Sequence, residues 1–296
     1  VLRRSNFEAI GTAWEIIIYD QVSDDAWVEL IQKIYIRIQA FDKAYSRFRP
    51  DSLVTRMSHA AGQYELPQDA QKMFDFYYQL YLATEGKLTP LIGQTVSDAG
   101  YDATYSFQPK KMQPPPKWED VVSYDRDSVT LTQPTLLDFG AAGKGYLIDL
   151  VGQLIHHAKV QTYTINAGGD ILHHNSGASL EVGLENPVDT SEAIGIVQLG
   201  NQSLCASAGS KRKWSGFHHI IDPTALMSPT SILATWVIAD EAIHADGLAT
   251  ALFFTKPFVL DEQFSFSYAL LNHDMSFEHS KDFPVQLFEE TFQESA

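Results

Sequence analysis

The sequence predicts an α+β fold, a mostly antiparallel sheet with helices packed on it, and three features predict it. β-Branched runs of strand length recur at Ile16-Ile17-Ile18, Ile194–Leu199 and Ile232–Ile238. Two segments place apolar side chains at three- and four-residue steps, as an amphipathic helix requires. Between about residues 162 and 238 short strands follow one another without a helical period. With 296 residues, 45% apolar and 12% aromatic, the chain can bury a core as one large domain or two intimate lobes.

Phe7 to Tyr19 alternates and reads as one strand. Ser23-Asp24-Asp25 is a helix cap, and Trp27, Leu30, Ile31, Ile34, Ile38 and Phe41 carry a helix to about Ala44. A second helix begins near Pro67, presents Met73, Phe74, Tyr77, Leu80 and Tyr81 on one face, and ends at Gly86. Asp98 to Lys117 is rich in Pro, Gln and Lys without period, a surface loop before the strand Ser128–Leu131. Tyr146, Ile148, Leu150, Val151 and Leu154 support a helix to about His157. Strands follow at Thr162–Ile165, Leu180–Leu184, Ile194–Leu199, His219–Ile221 and Ile232–Ile238, then a helix from about Ala239 to Phe254. The sequence shows no internal repeat or low-complexity tract.

Charge narrows the function classes. The net charge is −16, with 21 basic residues against 37 acidic ones, which excludes a nucleic-acid backbone as the main partner because counterion release needs a cationic face. A polyanionic ligand would need local help, from a bound divalent cation or a cluster such as Lys211-Arg212-Lys213. Cys205 is the only cysteine, so an intramolecular disulfide is impossible; its small neighbours suit a core thiol. No apolar run reaches the ~18 residues of a membrane helix. The chain starts at Val1, so a membrane association is expected only through a removed leader or lipid anchor.

Four constellations carry chemistry. Leu137 to Asp149 reads as an extended approach, a glycine-spaced turn with Lys144, and a helix. Such a turn lets backbone N–H groups approach a phosphate, while Asp138 and Asp149 add carboxylates able to reach a cation or a ribose. It is not the NTP-binding P-loop, because Gly145 stands where Ser or Thr would hold magnesium and Gly140 is too close to Lys144. Nor is Asp138-Phe139-Gly140 a kinase signature, since no His-Arg-Asp precedes it. Asn166-Ala167-Gly168-Gly169-Asp170 closes a strand with two glycines, as a backbone-lined ligand site or a hairpin turn would. His219-Ile220-Ile221-Asp222-Pro223 puts an imidazole and a carboxylate at a strand's two ends. Asp246 and Thr250, four apart on a helix, present two hard oxygen donors on one face, a pair suited to magnesium or to a capped helix start.

Taken in order, these motifs resemble the FAD:protein FMN transferases, the ApbE-type flavin transferases. The resemblance also takes in Ile10-Gly11-Thr12, Ser46 to Ser52, Val182 to Pro187, and Ala245 to Leu252, so it runs nearly end to end. It implies a bilobal α+β fold, residues 1–296 as one flavin-transferase domain with FAD bound between the lobes. The family cleaves the FAD pyrophosphate with Mg²⁺, attaches FMN through a phosphoester to a Ser or Thr of an acceptor redox protein, and releases AMP.

Carried onto this chain, the resemblance implies magnesium ligands at Asp246, Thr250 and the backbone carbonyl of Ala141. It implies an FAD cleft made from Ile10, Phe48, Lys87, Leu88, Thr89, Asp138, Lys144, Gly145, Asn166, Ala167, Gly168, Gly169, Asp170, Glu185, His219 and Ile221. Lys144 would stabilise the reacting phosphates; His219 would take the acceptor's proton, with Asp222 orienting it. The chain departs from the family at Phe48, at Thr89 in place of Asp, at Ser207-Ala208-Gly209 in place of Thr-Ser-Gly, and at Thr224-Ala225-Leu226 in place of Arg-Thr-Gly. These departures leave room for two alternatives, an FAD pyrophosphatase yielding FMN and AMP and a non-catalytic flavin-binding protein. The compartment stays open, leaning to the periplasmic, inner-membrane-anchored side of a bacterial cell over the cytoplasm.

Overall fold

A computed structural model describes residues 2–175, 177–210 and 212–288. The chain opens with a hairpin of β1 (Arg3–Ala9) and β2 (Thr12–Ile18). The expected single strand Phe7 to Tyr19 is therefore two strands. Ile10 and Gly11 both take positive φ (46° and 75°), the two-residue turn whose twist suits a hairpin, and alternation continues on either side of it.

Helix α1 (Asp24–Tyr45) is capped by Ser23, whose hydroxyl accepts the Ala26 N–H at 3.3 Å, and buries Leu30, Ile34, Ile38 and Phe41. A short α2 (Leu53–Met57), β3 (Gly62–Glu65) and α3 (Ala70–Ala83) follow. A 3₁₀ turn at Pro90–Ile92 leads into α4 (Gly93–Asp98). Beyond the loop come α5 (Trp118–Val121), β4 (Val122–Tyr124) and β5 (Ser128–Leu131), and β3, β5 and β4 form a small sheet. After the glycine turn run α6 (Gly143–His157), β6 (Tyr163–Ala167), β7 (Asp170–His174), β8 (Leu180–Glu185), β9 (Ala193–Leu199) and β10 (Ser203–Ala208).

The chain continues with β11 (Lys213–Trp214), β12 (Phe217–His218), β13 (Ile232–Ala239), α7 (Ala242–Ala251), α8 (Pro257–Asp261), β14 (Ser267–Asn272), β15 (Phe277–His279) and β16 (Val285–Leu287). The expected strand His219–Ile221 is irregular chain just past β12, because Pro223 and the Asp222–Met227 bridge turn the backbone away from strand pairing. The last long helix begins at Ala242 rather than Ala239, since Ala239 still pairs with Ser203 in the sheet.

The main sheet has eight strands in the order β1-β2-β6-β7-β10-β13-β14-β15, all recorded pairs antiparallel. Its two faces bury different cores. Trp14, Ile16 and Ile18 of β2, with Tyr163, Ile165 and Ala167 of β6, join the core of α1, α3, α6 and α7. Trp236 and Ile238 of β13 pack on the opposite face with Leu184, Ile194, Val197 and Leu199 of the sheet β16-β9-β8. Val237 of β13 faces the helices, so this strand is covered on both sides and reads as a continuous apolar run. Each such side chain contributes roughly 1.5–3 kcal/mol through burial.

Candidate active site

A cleft of ≈ 610 Å³ opens where the C-terminal end of α1, the glycine turn, the starts of α6 and β7, the end of β10, and α7 meet. Its floor is the α6–α7 pair. Gly145 lets the two helices touch: a Cβ there would lie 2.1 Å from the Ala242 carbonyl oxygen and 2.7 Å from Asp246 Cβ. One turn on, the Asp149 carboxylate accepts the N–H groups of Ala242 (2.8 Å) and Ile243 (2.9 Å) and so caps α7. Asp149 therefore does not reach toward a cation or a ribose; its lone pairs serve a helix end. Burial pushes its carboxyl up to about 7 against the pull of those two bonds.

Asp246 and Thr250 face the cleft from α7, 4% and 8% exposed. Asp246 Oδ2 accepts the Gly145 N–H at 2.8 Å, and Oδ1 lies 3.8 Å from Lys144 Nζ. Lys144 also forms an ion pair with Asp170, which begins β7. Thr250 Oγ1 is 3.1 Å from Ser207 Oγ of β10. Burial raises the Asp246 carboxyl and Lys144 offsets this only in part, so a further cation would hold it ionised. Among the described residues no group of three or more His, Cys, Asp and Glu side chains forms a metal cluster. A metal here would instead use one carboxylate, the Thr250 hydroxyl and the Ala141 carbonyl, all at this cleft, and that hard-oxygen set fits Mg²⁺.

The glycine turn offers fewer free donors than its sequence suggests. The N–H groups of Gly140, Ala142, Gly143 and Gly145 go to Asp138 Oδ1, the Tyr77 hydroxyl, the Phe139 carbonyl and Asp246, so the turn is held internally and Lys144 carries its charge into the cleft. Asp138 is held in turn by Arg47, whose Nε donates to Oδ2 at 2.5 Å while Nη1 donates to the Tyr101 carbonyl at 2.7 Å. Arg47 is 6% exposed, and a buried guanidinium with both partners fixed ties the glycine turn to the wall opposite.

That wall is aromatic. Phe48 stacks on Tyr105 with ring planes 4° apart and centroids at 5.2 Å, and meets Tyr101 edge-on at 5.4 Å. His219 lines the cleft with a buried Nδ1 that has no hydrogen-bond partner among the described residues. Burial first, then the nearby Arg212 charge, lowers its imidazole to about 3. Asp222 does not orient it. The Asp222 carboxylate accepts the N–H groups of Thr224 and Ala225 and lies 3.7 Å from Lys87 Nζ, because the Asx turn before Pro223 and Thr224 draws it away from the ring.

Of the residues expected in the cleft, Ile10, Phe48, Lys87, Leu88, Thr89, Asp138, Ala141, Lys144, Gly168, Asp170, His219, Ile221, Asp246 and Thr250 line it. Gly145, Asn166, Ala167, Gly169, Glu185 and Asp222 stand outside the lining. Asn166 and Ala167 are paired residues of β6, and Asn166 Oδ1 accepts the Gly169 N–H at 2.9 Å, so this motif is the β6–β7 hairpin turn. Gly168 and Asp170 are the members that line the cleft; Gly168 has φ 65°, and a Cβ there would lie 2.0 Å from Thr12 Oγ1. Lys211 lies outside the described residues. Arg212, from the basic cluster named as local help for a polyanion, lines the cleft, as do Arg47, Tyr101, Tyr105 and Ser207, to which sequence reasoning assigned no role. Of these four, only Arg47 and Ser207 had a signal, each lying in a segment already singled out.

The ApbE family model matches residues 10–260. The chain is 24% identical over 275 residues to the FAD:protein FMN transferase of Klebsiella pneumoniae (strain 342), covering 84% of this chain and 77% of that one. It is 25% identical over 275 residues to the protein of the same name from Haemophilus influenzae, covering 83% and 78%. In three dimensions it is similar to the flavin transferase ApbE from Vibrio cholerae (TM-score 0.79, 18% identity, 95% of this chain and 96% of that). The ApbE protein of Thermotoga maritima is similar to the same degree (TM-score 0.80, 18% identity, 95% and 97%). With a family model matched over residues 10–260 and the fold shared over 95% of the chain, the chain belongs to the ApbE family.

Proposed function

We propose that this chain cleaves FAD in the α6–α7 cleft and attaches its FMN half through a phosphoester to a Ser or Thr hydroxyl of an acceptor redox protein, releasing AMP. One observation carries the reading: Lys144, Asp246, Thr250 and His219 converge on a cleft whose other wall is Phe48, Tyr101 and Tyr105. A diphosphate needs the first set and a flat ring system the second. The relatives named FAD:protein FMN transferase support the same reaction. When bound, Mg²⁺ on Asp246, Thr250 and the Ala141 carbonyl would neutralise charge on the pyrophosphate oxygens.

The chain's own groups do the rest. Lys144 places an ammonium beside the phosphates, held in aim by Asp170 and Asp246. The acceptor oxygen forms a new bond to the FMN phosphorus, the bond from that phosphorus to the bridging oxygen breaks, and AMP departs with that oxygen. The hydroxyl proton passes to the His219 imidazole, which lines the cleft. A neutral imidazole can accept it, and the phosphates' negative charge raises the ring's basicity as they enter. Arg47 keeps the glycine turn and the aromatic wall in register by bridging Asp138 to the Tyr101 carbonyl.

The test is incubation with FAD and Mg²⁺, with and without a protein domain carrying an acceptor Thr. AMP together with a flavin-labelled domain supports the transfer. Free FMN with AMP and an unlabelled domain would make the protein a pyrophosphatase, and FAD bound but intact would remove the enzymatic reading.

A further inference from the structure

The mouth of the cleft differs in charge from the rest of the chain. Acidic residues number 37 in 296, one in eight, yet residues 103–118 and 193–221 carry none. These two stretches pack together at the cleft. Trp214 Nε1 donates to the Ala99 carbonyl at 2.6 Å, the Phe107 and Trp214 rings lie 5.8 Å apart, and Ser215 Oγ reaches the Phe107 carbonyl at 3.5 Å. Arg212 lies over the Tyr101 ring at 5.8 Å.

The surface so formed pairs exposed cations with exposed rings. Lys110, Lys111, Arg212 and Lys213 are all exposed, and among the described residues none makes an ion pair. Beside them Tyr105 and Phe107 are 47% and 43% exposed. Between residues 99 and 118 the one carboxylate is Asp102, which stays ionised and is turned toward Thr104 and Ser106 of its own turn. Tyr105 and Arg212 also line the cleft, while Lys110, Lys111 and Lys213 do not. The surface is therefore continuous with the site, but three of its charges lie outside the space for a ligand within it.

We propose that this rim is the docking surface for the acceptor polypeptide, and that the acceptor is acidic around its modified hydroxyl. The proposal rests on the FMN-transfer reading and adds the partner's chemistry. A transferase must bring a macromolecular hydroxyl to the mouth of its cleft, and a net charge of −16 would repel an acidic partner everywhere except such a rim. The rings supply rigid apolar contact at low entropic cost. A segment lying across Tyr105 and Phe107 meets the cleft directly, which a membrane surface or a duplex would not.

The test compares the wild-type chain with the triple variant Lys110→Glu, Lys111→Glu, Lys213→Glu, and with a distant control, Lys159→Glu, Lys281→Glu. Fluorescein-labelled peptides with a central Thr flanked by Asp and Glu, by Ser and Gln, or by Lys serve as probes, read by anisotropy at low and high salt. The acidic peptide is expected to bind wild type and control alike, to lose at least about tenfold in affinity in the triple variant, and to weaken with salt. FAD binding in a flavin-fluorescence titration without peptide should not change, which also reports that the variant is folded. Equal binding of the acidic peptide by the triple variant overturns the proposal, as does equal binding of the Lys-flanked peptide by wild type. So does loss, in the triple variant, only of binding to phosphatidylglycerol vesicles or of self-association in sedimentation. If the wild type selects the acidic peptide through these lysines yet neither binds FAD nor releases AMP with the peptide present, the flavin reading fails and the acidic-peptide surface stands.

Discussion

The floor and the mouth of the cleft are built on opposite principles. At the floor, α6 and α7 touch through Gly145, Asp149 caps α7, and Asp246 binds the α6 backbone, so both carboxylates are fixed by specific partners. At the mouth, Tyr105 and Phe107 sit in loop backbone with φ near 50°, and their side chains are held by ring packing. Charge must be placed closely where a phosphate reacts, whereas a surface that receives a partner can rely on broad, adaptable contact.

Breaking the floor should have the largest effect. Asp246→Ala removes the carboxylate from the proposed diphosphate site and should lower AMP release from FAD by about 10²–10³-fold, with FAD binding retained in a fluorescence titration. Gly145→Ala forces a Cβ against the Ala242 carbonyl, and thermal denaturation should show a loss of about 1–3 kcal/mol or more together with lost activity.

A proton tests the floor more finely. The Asp149 carboxyl rises to about 7 in the folded chain, from the ordinary value near 3.9 when unfolded, so between these values the folded state binds more protons. Stability should fall as pH rises from about 4 to about 7, by up to about 1.4 kcal/mol per pH unit from this group. Denaturant midpoints across that range should show the slope, and Asp149→Asn should flatten it while weakening the α7 cap.

The mouth should yield least. Tyr105→Ala loses one stack on Phe48, worth about 0.5–1.5 kcal/mol, and should shift FAD affinity by about tenfold or less with little change in the maximal rate. A change in maximal rate as large as that of Asp246→Ala would erase the contrast.

The same contrast explains what could be read from the chain. Helix α6 was legible from its apolar spacing and from Lys144 at a glycine turn, and the chemistry of α7 from Asp246 and Thr250 lying four apart. The partner of Asp149 was not, since nothing local says that a carboxylate at residue 149 will meet N–H groups at 242 and 243. The Ile10-Gly11 turn hid inside an unbroken alternation. Strand β10, Ser203–Ala208, was missed because its small residues carry no β-branched signal, and its place is set by neighbours on both sides. The loop at 99–117 was legible as a loop, but the stacking of its rings depends on Phe48 and Trp214, distant in sequence.

The most direct test of the account is a crystal of the protein soaked with FAD and Mn²⁺ in place of Mg²⁺, examined by anomalous diffraction. Expected is an anomalous peak coordinated by Asp246, Thr250 and the Ala141 carbonyl and touching the flavin nucleotide's diphosphate beside Lys144. A diphosphate bound elsewhere, or a metal away from Asp246, would contradict it.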